Sequence, residues 1–231
     1  MNNWLNFDLF RPGCWLCHSP QPRDQPLCPD CLAVLPGNRH ACRRCALPIA
    51  PEQTLCGRCL AHPPFYRHSL IPFIYAPPID QLITGLKFQQ KLSHARLLGE
   101  LLGLTLPTTH LQSLDALLPV PLHRRRLRER GYNQAVEIGR FVAQYADLPL
   151  LTGQCHRVRH TAAQSRLPLA QRRQNLRQAF YIDADLRGRS IGILDDVVTS
   201  GHTVNELARC LRRAGAESIT VIAVARADFP R

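Results

Sequence analysis

The chain has 231 residues, 45% hydrophobic and 20% charged. That excludes a disordered or collagen-like polypeptide and leaves room for one large domain or one domain plus a small module. Its formal net charge is +12, and 27 of its 29 basic residues are arginines, the exceptions being Lys87 and Lys91; the planar arginine fork grips phosphate oxygens two at a time, so the bias points to polyphosphate, nucleotide or nucleic-acid partners.

The opening stretch, MNNWLNFDLF, has neither the basic start nor the continuous apolar run of a secretory signal. No later run approaches the roughly 18 apolar residues that cross a bilayer. A cytoplasmic location without a transmembrane segment is expected.

Eight of the ten cysteines then fall into four C-x-x-C pairs: Cys14/Cys17, Cys28/Cys31, Cys42/Cys45 and Cys56/Cys59. The second two pairs repeat the first two at an offset of 28 residues, so two copies of one small unit stand in tandem. Two residues between cysteines let a tight knuckle aim both sulfurs at one ion, and two knuckles make the tetrahedron that suits structural Zn²⁺. Two zinc ions are expected. Sequential pairing fits the repeat best, and cross-braced pairing remains an alternative. A reducing cytosol disfavours disulfides; iron–sulfur ligation uses the same residue type, but regular paired knuckles favour zinc. Between Pro12 and His62 there are only ten large apolar side chains, too few for a core without a metal staple.

Thirteen of the nineteen prolines precede residue 80, and Pro63-Pro64 marks a break no helix crosses. The expected division is a cysteine module over 1–62 and a second domain over 63–231. In that domain Ile79, Leu82, Ile83 and Leu86, then Leu97, Leu98 and Leu101, have helical spacing, and Ala116–Val120 reads as a strand. Between residues 120 and 180 there are 12 arginines against Glu129, Glu137 and Asp147, a clustering that suits an anionic partner. A helix begins near Asn133; strands at Ile191–Leu194 and Ile219–Val224 flank a helix over Val204–Ala214 with Gly215 at its end. Cys155 reads as a strand residue and Cys210 as a small buried hydrophobe. Apolar strands alternating with amphipathic helices predict an α/β fold, a parallel sheet with helices on both faces, which collects ligands at the carboxyl ends of its strands.

The strand ending at Leu194 runs straight into Asp195-Asp196-Val197-Val198-Thr199-Ser200-Gly201-His202-Thr203. Inward backbone N–H groups, Thr/Ser hydroxyls and a helix N-terminus together suit a phosphate monoester. The paired acids would repel a phosphate, so they are expected at the ligand's other end, on vicinal hydroxyls and a hydrated Mg²⁺. Ribose 5-phosphate has that layout.

The string ILDDVVTSGHT resembles the phosphoribosyl pyrophosphate (PRPP) motif of type I phosphoribosyltransferases. Two further stretches, LPVPLHRRRLRERGYNQA (118–135) and TAAQSRLPLAQRRQNLRQAF (161–180), resemble the ComF/GntX family, whose members carry a zinc ribbon before such a domain. Together with the cysteines the resemblance spans nearly the whole chain. It implies a type I phosphoribosyltransferase-like core over 115–231 and a hood over 71–106. It assigns the ribose hydroxyls of Mg²⁺-PRPP to Asp195 and Asp196, and the 5-phosphate to Thr199 through Thr203. Pyrophosphate, or nucleic-acid phosphate, falls to Arg124, Arg125 and Arg126 in the loop Pro121–Arg126, and to Arg166, Arg172 and Arg173 in a catalytic loop within 157–177. One position departs from the motif: where purine-salvage relatives place an aspartate that meets the nucleobase, this chain has Thr199, and the arginines of the catalytic loop are poor bases. No catalytic residue or acceptor is assigned. The resemblance further implies a role in DNA uptake or use of external DNA, with PRPP or a nucleotide, single-stranded DNA and uptake machinery at the inner membrane as partners; an active transferase moving phosphoribose from PRPP is the alternative.

Overall fold

The computed structural model describes residues 13–20, 22, 25–158 and 179–227. The chain forms two compact units, Met1–Leu35 and Pro36–Arg231. The division therefore falls inside the cysteine repeat, whereas composition changes near residue 63.

The first unit holds Cys14, Cys17, Cys28 and Cys31. Its knuckle is closed by the Cys14 N–H on the Ser19 carbonyl at 2.7 Å and the His18 N–H on the Cys14 carbonyl at 2.9 Å. Helix α1 (Pro29–Ala33) starts with proline in its first turn, and Cys28 caps it through a sulfur that accepts from the Cys31 N–H at 3.4 Å.

The second unit begins with the other four-cysteine copy, which carries the short helix α2 (Gly57–Ala61). Strands β1 (His68–Leu70) and β2 (Phe73–Ile74) follow, then helices α3 (Ile79–Phe88), α4 (Ser93–Thr105) and α5 (Thr108–Gln112). Strand β3 (Ala116–Pro119) leads into α6 (Arg124–Arg130) and α7 (Gln134–Ala146). A hairpin of β4 (Cys155–Arg157) and β5 (Phe180–Ile182), then β6 (Ser190–Val198), α8 (His202–Arg213) and β7 (Ser218–Arg226) complete the described residues.

The sheet has the order β1-β7-β6-β3, with β2 pairing β7 beyond β1, and every pair in it is parallel. Its centre, β6 and β7, is hydrogen-bonded on both sides and buried on both faces, which is why Val221–Ala225 is an unbroken apolar run. On one face Ile191, Ile193, Val221 and Ala223 pack against Val204, Leu207, Ala208 and Leu211 of α8 and against Phe180 of the hairpin. The other face is covered by α4 and α7.

Helices α4 and α7 approach closely because α4 presents glycines. A Cβ on Gly99 would stand 2.6 Å from the Phe141 Cβ, and one on Gly103 would stand 2.6 Å from the Tyr145 ring. Helix α7 starts where expected, with the Asn133 side chain accepting from the Ala135 N–H at 3.1 Å. Gly215, at φ +95°, ends the turn after α8 in the left-handed conformation its sequence suggests. Cys155 is a buried strand residue as expected; Cys210 is only half-buried, its sulfur turned to the Phe180 carbonyl at 3.7 Å. Burial pushes the Cys155 thiol up to about 12, leaving it unreactive.

Candidate phosphate-binding site

Strand β6 continues four residues past the expected end at Leu194, so Asp195 and Asp196 lie in the strand and not in a loop. Side chains alternate along a strand, and the two acids therefore leave on opposite faces. Asp196 is 2% exposed and forms an ion pair with Lys87 of α3. Asp195, half-buried, is on the face of the β4–β5 hairpin, where it and Arg126 both act on the Arg157 guanidinium.

The two carboxyls titrate in opposite directions. Burial and the charge of Asp196 push Asp195 well above the usual carboxylate range. Burial also pushes on Asp196, but the Lys87 ammonium and the hydrogen bonds around it outweigh burial and hold the group below its ordinary value.

After Val198 the chain turns through Thr199, Ser200 and Gly201 into α8. Gly201 is its N-cap at φ +76°, a conformation that favours glycine, and His202 and Thr203 form the first turn. The carbonyls of this turn are all engaged. Arg226, at the end of β7 and 2% exposed, donates through Nη1 to the Val198 carbonyl at 2.9 Å and to the Thr199 carbonyl. Arg58 of α2 donates to the Ser200 carbonyl at 3.1 Å. In a trans peptide unit the C=O and N–H point opposite ways, so holding these carbonyls to the arginines turns the N–H groups of Thr199, Ser200 and Gly201 away from them. That is the polarity an anion cradle needs, at the positive end of a helix.

The arginines expected in a loop after β3 begin a helix instead. His123 caps α6 through Nδ1, which accepts from the Arg125 N–H at 3.2 Å, and Arg124, Arg125 and Arg126 are its first turn. Three cations at a helix N-terminus oppose its dipole, an arrangement an anion would relieve. They are not equivalent: Arg124 is exposed, Arg125 pairs with Glu129 at 2.9 Å on the surface, and Arg126 is half-buried, its charge acting on Arg157. Arg166, Arg172 and Arg173 lie outside the described residues.

Each set of four cysteines is brought together in sequence order, not cross-braced. Within each, the four sulfurs lie within 4.8 Å of one another, and the Cys17–Cys28 and Cys45–Cys56 sulfur separations are 3.7 and 3.6 Å. Zinc–sulfur bonds of 2.3 Å in a tetrahedron put sulfurs about 3.8 Å apart, so both sets fit a closed structural Zn²⁺ site. Burial pushes Cys42 up, yet the N–H groups of Cys45, Cys56 and Arg44 outweigh it and bring the thiol down to about 7, toward the thiolate a metal requires.

Two family models match the chain: a double zinc ribbon domain over residues 8–60 and a phosphoribosyl transferase domain over residues 133–228. Competence protein F of Haemophilus influenzae is 38% identical over 160 residues, covering 66% of this chain and 70% of that protein. The chain belongs to this family. Further members are DNA utilization protein YhgH of Escherichia coli O157:H7, 38% identical over 156 residues, and that of Salmonella typhimurium, 35% identical over 156 residues. Each alignment spans 66% of this chain and 69% of the relative. Among solved structures, a purine phosphoribosyltransferase from Pyrococcus horikoshii overlaps 62% of this chain and 92% of its own, at 16% identity and a TM-score of 0.33. The family's two-part architecture is the one described here, a ribbon of four-cysteine sites and a parallel sheet with helices.

Lys87, Arg157, Arg58 and Arg226 were not singled out from the sequence. Lys87 carried one usable signal, being one of only two lysines. Arg226 carried none, since an arginine closing an apolar strand reads as a strand end. No helix among the described residues is long and apolar enough to cross a membrane.

Proposed function

We propose that the turn Thr199–Thr203 binds the 5-phosphate of PRPP or of a nucleotide, that Asp195 and Asp196 serve the sugar end, Asp196 by exchanging its Lys87 partner for the ligand, and that the protein binds single-stranded DNA in the uptake or utilisation of external DNA. The observation that carries this is the turn itself: two acids at the carboxyl end of β6, followed by a glycine-capped helix start whose carbonyls are drawn off by Arg226 and Arg58. The relatives are named for competence and for DNA utilization, which supports the cellular role. A cytoplasmic protein working with uptake machinery at the inner membrane fits that role. Magnesium enters as Mg²⁺-PRPP, most of its oxygens coming from the ligand, because only one carboxyl stands on each face of the strand.

A second reading, transfer of phosphoribose to an acceptor, is favoured by Arg157, on which the charges of both Arg126 and Asp195 act, since two arginines there would neutralise departing pyrophosphate. Pyrophosphate release from Mg²⁺-PRPP across a panel of nucleobases and oligonucleotides separates the two. Binding without release is the expected result; release that requires one acceptor and disappears in Asp195→Asn/Asp196→Asn would make the protein a transferase.

A further inference from the structure

We infer that the second four-cysteine site and the phosphate turn are one coupled unit: a metal ion on Cys42, Cys45, Cys56 and Cys59 sets the geometry of Val198–Ser200, with Arg226 and Arg58 as the positioning residues that carry the link. The inference rests on the reading of the turn as a phosphate site.

Arg226 makes the first tie. Its Nε donates to the carbonyl of Cys45 at 2.9 Å, while Nη1 of the same plane donates to the Val198 and Thr199 carbonyls. A planar guanidinium fixes the directions of its donors, so moving the knuckle carbonyl strains the turn carbonyls and the reverse. Arg58 makes the second tie. It stands between the ligands Cys56 and Cys59 and donates to the Ser200 carbonyl. A third runs from the Phe65 N–H to the Asn205 Oδ1 at 2.8 Å, joining the segment after the ribbon to α8. These ties bridge a cavity of about 370 Å³ whose walls include Cys45, Cys59 and Tyr66 on one side and Gly201, His202 and Arg209 on the other.

The knuckle is tied to the rest of the unit by the Asn38 side chain on the Ala46 carbonyl at 2.9 Å and by the Ser69 N–H on the Arg43 carbonyl at 3.0 Å, and the ion adds the closure of its four sulfurs. Among the described residues, the partly buried hydrophobics packed against its four cysteines are Leu47, Ile49 and Leu55, a small apolar cluster. Without the ion, the four sulfurs are no longer closed on one centre and the Cys45 carbonyl can shift, and a buried guanidinium that loses this acceptor is unfavourable until the turn rearranges. The two arginines also offset the negative charge of four thiolates on one divalent ion, so the metal site does not repel a phosphate beside it. Coupling of this kind is reciprocal: a ligand in the turn must tighten metal retention by the factor by which the metal tightens the ligand.

The test uses the full-length zinc-loaded chain and follows zinc transfer to a chromophoric chelator with and without ribose 5-phosphate, whose binding is measured in parallel by calorimetry. Cys14→Ser leaves a complete second site, and Cys56→Ser a complete first site. Ribose 5-phosphate is expected to slow release from the second site on the order of tenfold and to leave the first unchanged. Arg58→Ala, an exposed position that leaves all cysteines in place, is expected to reduce the slowing, and Arg58→Lys to restore part of it. Binding of ribose 5-phosphate with no effect on release from the second site would overturn the coupling alone. Absence of binding would overturn the phosphate reading and the coupling with it.

Discussion

Asp195 and Asp196 are adjacent in sequence yet carry opposite pH signatures, because a strand sends one to the hairpin face and the other to Lys87. The raised Asp195 contributes stability that is complete below the unfolded carboxyl pKa of about 3.9 and is lost as pH rises through its raised value. Asp195→Asn removes that loss, so at pH near 8 the variant should melt above the parent, and near pH 4 the two should converge, in thermal unfolding followed by circular dichroism. The lowered Asp196 has the opposite sign, its contribution present above about 3.9 and lost as pH falls through its lowered value. Lys87→Met strands a buried carboxylate and should cost about 3 kcal/mol in urea unfolding at neutral pH, most of it recovered in Lys87→Met/Asp196→Asn. At this scale the motif residues were legible in the sequence, since chemistry and spacing are local. Their partners were not: Lys87 lies more than a hundred residues before Asp196, and Arg226 lies 181 residues after Cys45.

Elements were legible where one face is buried over several turns. Helix α7 shows its buried side in Ala135, Ile138, Gly139 and Val142, and α8 in Val204, Leu207, Ala208 and Leu211. Strands β1 and β2, of three and two residues, are too short to show a period, and acids in the last half of β6 hid its true end. Helices α4 and α7 meet through Gly99, where an added Cβ would lie 2.8 Å from the Ile138 carbonyl oxygen as well as against Phe141. Backbone cannot yield as a side-chain tip does. Gly99→Val should therefore destabilise the second unit by about 2 kcal/mol, read from the urea midpoint.

For the whole molecule, the two four-cysteine sites read as equivalent copies in sequence, but the packing separates them: one is in the smaller unit, and the other is bonded to the sheet and to the turn after β6. That difference was invisible to spacing, since both copies have the same spacing. Charge acts at this scale too. With 27 arginines and a net charge of +12, affinity for a single-stranded oligonucleotide should fall steeply with salt, with a log–log slope of about −0.7 for each phosphate neutralised. Fluorescence anisotropy in a salt titration measures it, and an affinity indifferent to salt would remove arginine–phosphate contact from the account.

The most direct test of the central claim is calorimetric titration of Mg²⁺-PRPP into the zinc-loaded protein and into Asp195→Asn/Asp196→Asn. Saturable binding that is lost in the double variant is predicted, because the acids and the turn after them form one site. Binding of equal strength in both proteins would place the ligand elsewhere and contradict it.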